Sequence, residues 1–129
     1  MYIEWTPNKV ASLSIIRKTS KLPFEVGVVL GLYNDGYTVL DYKFDTIYST
    51  KISFACLLSL IGKKDIKIVI VHNHPSIPFE SNSFPSEADI RSTFVLRKFC
   101  KLLRITLFDS IIVSRNNEYF SYRENNALS

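Results

Sequence analysis

The sequence predicts an α/β (α+β) domain, one mixed β-sheet with helices on its faces, and three observations carry that prediction. Two short runs, residues 24–33 and 66–71, have the length and the Val/Ile/Leu content of buried strands. Around them lie stretches in which apolar residues recur every third or fourth position, as in helices that bury one face. The order is helix, β-hairpin, helix, strand, helix, β-hairpin, with no repeat and no low-complexity linker. At 129 residues the chain is long enough for one hydrophobic core and short for two, so residues 1–129 are expected to form a single domain.

Thr6 ahead of Pro7 reads as a helix start, a hydroxyl that caps followed by a residue whose missing N–H costs nothing at the first position. Val10, Leu13 and Ile16 continue at helical spacing, which predicts one helix over residues 7–20 with Lys9, Arg17 and Lys18 in water. Residues 24–33 follow as a strand. Asn34-Asp35-Gly36 tolerates the positive φ of a tight hairpin turn, and residues 37–44 return as the partner strand. A short strand is expected at 46–50. Ile52, Cys56, Leu57, Leu60 and Ile61 then make a helical stripe that Gly62 stops. After the strand at 66–71, Ser86 opens a helix running through Leu103, with Ile90, Phe94, Leu96, Phe99, Leu102 and Leu103 as its apolar face. Arg91, Arg97, Lys98, Lys101 and Arg104 make the other face, for which a solvated surface is the default reading and a nucleic-acid footprint the alternative. Residues 108–113 and 119–122 form a closing hairpin around Arg115-Asn116-Asn117-Glu118.

An apolar fraction of 47% and a charged fraction of 22% are ordinary for a globular protein. A formal charge of +4 permits attraction to nucleic acid without requiring it. The two cysteines, Cys56 and Cys100, sit in apolar helical patterns outside any Cys-x-x-Cys pair and read as buried thiols of a reducing cytoplasm. No apolar run approaches the ~18 residues of a membrane span, and no leader pattern opens the chain, so a cytoplasmic protein with no membrane partner is expected.

The stretch that carries chemistry is VHNHPSIPFESNSFPSEADI, residues 71–90. Side chains alternate across a strand, so His72 and His74 at the end of the strand point the same way, toward one ion. Asp89 falls in the first turn of the following helix, within reach of the histidines. Two imidazoles and one carboxylate suit zinc, and three protein ligands leave a fourth position open, as in catalytic sites. Each half alone has a plainer reading. Ser86-x-x-Asp89 is also how many helices cap their first turn, and a lone histidine near a strand end is more often structural. Their coincidence, with both histidines of the chain in one motif, favours the metal. A zinc deaminase would need His-x-Glu and Pro-Cys-x-x-Cys, and neither string is present.

The combination His-x-His, Ser-x-x-Asp resembles the JAMM motif of JAB/MPN metalloproteases, and His72-Asn73-His74-Pro75-Ser76 is similar to the RadC version. The resemblance extends over residues 7–124, with the motif core at 24–124. It includes Phe24-Glu25-Val26, Ser49-Thr50, Leu107-Phe108-Asp109 and Glu118-Tyr119-Phe120-Ser121-Tyr122-Arg123-Glu124 in the family's order. It implies a JAB/MPN-like fold, a zinc site of His72, His74 and Asp89, Ser86 beside the reacting centre, and Glu25 as general base. On periodicity alone Glu25 reads as an exposed acid at a strand edge, and Glu80 and Glu87 are the other glutamates with a route to the metal. The departures are a motif loop, Pro75 to Pro85, about four residues longer than usual, and Ser110 where the family commonly has histidine. The implied function is zinc-dependent hydrolysis of a peptide or isopeptide bond in a protein or peptide substrate. The alternative is a non-catalytic RadC-like module that binds DNA or a protein partner in DNA repair.

Overall fold

The Thr6 hydroxyl accepts the Lys9 N–H and Pro7 is the first helical residue, so the chain's first helix starts where the sequence says. The computed structural model describes residues 2–44, 54–63, 65–75 and 84–128. The helix expected over 7–20 is two helices, α1 at Pro7–Ala11 and α2 at Ser14–Ser20, with Leu13 extended between them. What must be buried explains the break. Val10 and Ile16 are both fully buried in one core. In an unbroken helix six residues would rotate them about 120° apart, at roughly 100° per residue. Breaking at Ser12 and Leu13 turns both toward the same surface.

That surface is a five-stranded mixed sheet in the order β2-β1-β3-β4-β5. Its strands are β1 (Val26–Tyr33), β2 (Gly36–Phe44), β3 (Lys67–His74), β4 (Thr106–Ser114) and β5 (Tyr119–Ser121). β3 and β4 are parallel, and every other neighbouring pair is antiparallel. Two helices bracket β3 in sequence: α3 (Phe54–Leu58) precedes it, and α4 (Glu87–Leu102) makes the crossover from β3 to β4. Parallel neighbours need such a crossover, which is why a long helix stands between these two strands in sequence. The expected strand at 46–50 lies outside the described residues.

Strand alternation divides the core. Val26, Val28, Leu30, Val69, Val71, Ile111 and Val113 pack with Val10 and Ile16 on one face. Val29, Ile68, Ile70 and Ile105 pack with Leu57, Leu60 and Cys100 on the other. Gly62 takes a φ of +84° in the turn beyond α3, the left-handed conformation that a glycine stop supplies. Gly31 has a different reason to lack a side chain: a Cβ there would lie 2.5 Å from Ile66 Cδ1.

β1 begins at Val26, two residues later than the periodicity suggests. The Asn73 side chain accounts for the difference. Its Oδ1 accepts the Val26 N–H at 2.6 Å, and its Nδ2 donates to the Phe24 carbonyl at 3.0 Å. A side chain from β3 thereby takes the hydrogen bonds that a strand ladder would have made, and it fixes the segment that carries Glu25.

Candidate metal centre

β3 runs three residues beyond the predicted end and carries both histidines within the sheet. His72 is 6% exposed and His74 is half-buried; Asn73, between them, points to the opposite face. Facing the histidines, α4 begins with a complete capping box. The Ser86 hydroxyl accepts the Asp89 N–H at 3.1 Å, and the Asp89 carboxylate accepts the Ser86 N–H at 2.9 Å. This cap fixes the carboxylate where it meets both rings. Asp89 Oδ2 lies 2.9 Å from His74 Nε2, and Oδ1 lies 3.1 Å from His72 Nε2. Capping and convergence on the histidines are therefore properties of the same carboxylate.

Burial pushes the Asp89 carboxyl up, but His72, His74 and the Ser86 amide together outweigh it and hold the group well below the usual carboxylate range. It is ionised at any pH at which the domain functions. His72 Nε2 is buried and held against Asp89 Oδ1, with no solvent to share. Ligand atoms of His72, His74 and Asp89 lie within 4.8 Å of one another, a cluster that fits a metal ion. Two neutral imidazoles and one carboxylate are also the right donor chemistry for zinc.

Glu25 lies just before β1. Gly27 pairs with His72 across the β1–β3 ladder, and Glu25 shares the parity of Gly27. The paired ladder ends at Gly27, and Glu25, two residues before it, is half-buried. Of its rivals, Glu87 points to solvent and pairs with Arg91 at 3.9 Å, while Glu80 lies outside the described residues. Ser86 is exposed at the rim, its hydroxyl oxygen engaged by the cap.

Three further residues line this face, and the linear pattern did not single them out. Thr93, one turn beyond Asp89, meets Ser110 of β4 hydroxyl to hydroxyl at 3.4 Å. The Tyr122 N–H donates to the Ser110 carbonyl at 3.1 Å, which brings Tyr122 alongside. Its side chain is 3% exposed, and its hydroxyl makes no well-formed hydrogen bond among the described residues although the Thr93 hydroxyl stands near. Burial raises the Tyr122 hydroxyl's pKa, the nearby Thr93 hydroxyl opposes that, and the negative charge of Asp89 adds to it. The signal was the even parity of residues 110, 120 and 122, readable only once β4 and β5 are paired in register. Asp109 has the opposite orientation: fully buried, it accepts the Ser110 and Arg123 N–H groups at 2.7 and 2.9 Å and the Ser121 hydroxyl, pinning the end of the chain to β4.

A mixed sheet presenting two histidines from a strand end to the first-turn aspartate of a crossover helix defines the class: a JAB-type domain with a potential three-residue metal centre. The RadC-like JAB domain family matches residues 55–127, and the chain belongs to that family. The matched segment contains all three candidate ligands and begins after Glu25. A UPF0758 protein of Chlorobaculum tepidum is 44% identical over 61 residues, 47% of this chain and 25% of its own length. One from Psychrobacter arcticus is 42% identical over 59 residues, 46% of this chain and 24% of its own. A longer match, to a UPF0758 protein of Psychrobacter sp., is 35% identical over 105 residues, covering 78% of this chain and 43% of the relative. The aligned part thus spans about a quarter of the length of the first relatives and less than half of the third. No helix among the described residues is long and apolar enough to cross a membrane.

Proposed function

We propose that the domain is a JAMM-type zinc hydrolase that cleaves a peptide or isopeptide bond in a protein or peptide substrate. The observation that carries this reading is the convergence of a buried His72, a half-buried His74 and an ionised Asp89, with ligand atoms within 4.8 Å of one another. His72, His74 and Asp89 would hold the metal, which when bound supplies a Lewis acid and an acidified water at neutral pH. The cap fixes Asp89 before the metal arrives, so little rearrangement is needed to complete the ligand set. Glu25, two residues before the Gly27 that pairs with His72, accepts a proton from the attacking water and returns it to the leaving amine. Ser86, whose oxygen is held by the Asp89 N–H, keeps its hydroxyl proton for the oxygen of the scissile carbonyl. Thiols at Cys56 and Cys100 with no disulfide between them fit a reducing compartment, the cytoplasm.

A second reading, a binding module in DNA repair that keeps the ion without hydrolysis, is favoured by the cations of α4. One experiment separates the two. Protein purified without chelators is analysed for metal, then incubated with ubiquitin-like conjugates and a quenched fluorescent peptide panel, alongside Glu25→Gln. Hydrolysis by the parent and none by a variant with equal zinc content supports the enzyme. Zinc without turnover in either protein, on any substrate, supports the module.

A further inference from the structure

The rotational phase of α4 is set by Asp89, which must face the histidines. Residues four, seven, eleven and fourteen positions on, namely Thr93, Leu96, Cys100 and Leu103, follow it onto the sheet side, where they are buried or half-buried. The apolar residues out of phase with Asp89 go outward. Ile90 and Val95 are 51% and 50% exposed, Phe94 50% and Leu102 77%. Four large apolar side chains on the solvent face of one helix are more than the scattered exposure of an ordinary surface. They are interleaved with Arg91, Lys98 and Lys101, with Arg97 at the edge, against a single acid, Glu87. Lys98 Nζ stands 4.5 Å from the Phe94 ring centroid and the Arg97 guanidinium 6.0 Å, so the cations lie on the apolar patch itself.

We propose that this outer face of α4 docks an acidic amphipathic segment of a partner protein, with apolar side chains covering Ile90, Phe94 and Leu102 and carboxylates meeting Arg91, Lys98 and Lys101. Charge complementarity selects this occupant. Nucleic acid would satisfy the cations but would press strongly hydrated phosphates against four apolar side chains. A second copy docking by the same face would set Arg91, Lys98 and Lys101 against their own equivalents. A bilayer would need these apolar groups to protrude past the surrounding polar ones, whereas Ile90, Phe94 and Val95 are only half-exposed and cations cover the Phe94 ring. An acidic helix or strand with aliphatic or aromatic residues matches both halves of the surface at once. The face starts one residue after Asp89, so a docked segment would lie beside the metal centre, and the proposal stands whether or not that centre is catalytic.

The test is selection from a phage-displayed library of random 16-residue peptides on the full chain, followed by fluorescence polarisation with the selected peptides. Selected sequences should combine Asp or Glu with Leu, Ile, Phe or Trp. Phe94→Ser, an exposed position whose variant keeps the parent's circular dichroism, should weaken them by about tenfold or more. Lys98→Glu should weaken them similarly, and the loss should deepen with salt. Selected peptides that lack acids, or that bind Phe94→Ser as well as the parent, overturn the proposal, as does a selection that yields no binder. It is equally overturned if a 16-base-pair duplex or vesicles with anionic lipid bind tightly through Phe94 and Lys98 while the peptides do not. A dimer in solution that Phe94→Ser dissolves would assign the face to a second copy instead.

Discussion

Asp89→Asn separates the two functions that one carboxylate combines. Asparagine is nearly as good an acceptor for the Ser86 N–H, so the cap survives, whereas the charge beside His72 and His74 is lost. Losing that charge at a helix start costs the apo domain about 1 kcal/mol, or roughly 4 °C in a chain of this size, and the lost attraction to His72 and His74 adds to it. The metal is affected far more. Changing even an indirect partner of a metal ligand costs about 10–100-fold in affinity, so replacing the ligand itself should cost more than about 100-fold. At a free zinc concentration about 100 times the parent's Kd, binding stabilises the parent by about 2.7 kcal/mol, or roughly 10 °C. The same zinc is then at or below the variant's Kd, where the gain is at most about 0.4 kcal/mol, or roughly 1.5 °C. Thermal melts of apo protein with and without added zinc read both quantities. A parent that melts at the same temperature with and without zinc refutes the metal centre. Equal zinc shifts in parent and variant would leave Asp89 as a helix cap alone.

Four further outcomes are expected. Glu25→Gln should bind zinc as the parent does and lose hydrolysis, measured by metal analysis and peptide turnover on the same preparation. Tyr122→Phe removes a buried hydroxyl with no well-formed hydrogen bond among the described residues, so its stability in urea should match or exceed the parent's; a loss above about 1 kcal/mol would reveal a bond to Thr93. Gly31→Ala places a methyl against Ile66 and should destabilise the domain by about 1–3 kcal/mol in the same assay. Asp109 has its carboxyl raised by burial against the opposing Ser121, Arg123 and Ser110 bonds. The folded state therefore holds its proton more tightly than the unfolded state, and stability is lost as pH rises from the ordinary carboxylate range through the raised value. Relative to the parent, Asp109→Asn should gain stability as pH rises above the ordinary carboxylate range, and a difference that stays flat or falls there would refute the assignment.

The sheet and the clustering of His72, His74 and Asp89 were legible because each rests on a short-range rule. Period-two alternation sorted Val26, Val28 and Leu30 from Gly27 and Val29, and it put His72 and His74 on one face. The Ser86 cap was visible as a string. What escaped the sequence depends on partners far along the chain. Helical spacing in Val10, Leu13 and Ile16 hid a break that exists because the sheet asks Val10 and Ile16 to face the same way. Counting apolar residues in α4 assigned Ile90, Phe94 and Leu102 to the core, when the position of Asp89 rotates them into water and brings Thr93 inward. Tyr122 joins the site face only through its pairing with Ser110, and Asn73 trims β1 from a neighbouring strand.

Where Asp89 sits does not depend on the segment that joins His74 to Ser86 in sequence. The eleven residues from Pro75 to Pro85 separate His74 from Ser86. A ligand carried on such a loop would pay a closure cost that grows with length, if only by about 0.6 kcal/mol per doubling. Asp89 is not on the loop. It belongs to α4, whose position is set by Leu96, Phe99, Cys100 and Leu103 packing on the sheet and by Thr93 meeting Ser110. Its carboxylate is aimed by a cap closed entirely within residues 86–89. Insertions between Pro75 and Pro85 change how the chain travels to the helix without moving where the helix starts. The site therefore tolerates loop length, while it depends on the cap: Ser86→Ala removes the hydroxyl that holds the Asp89 N–H. It should weaken zinc binding as well as the helix, in contrast to a loop deletion of equal effect on the melting temperature.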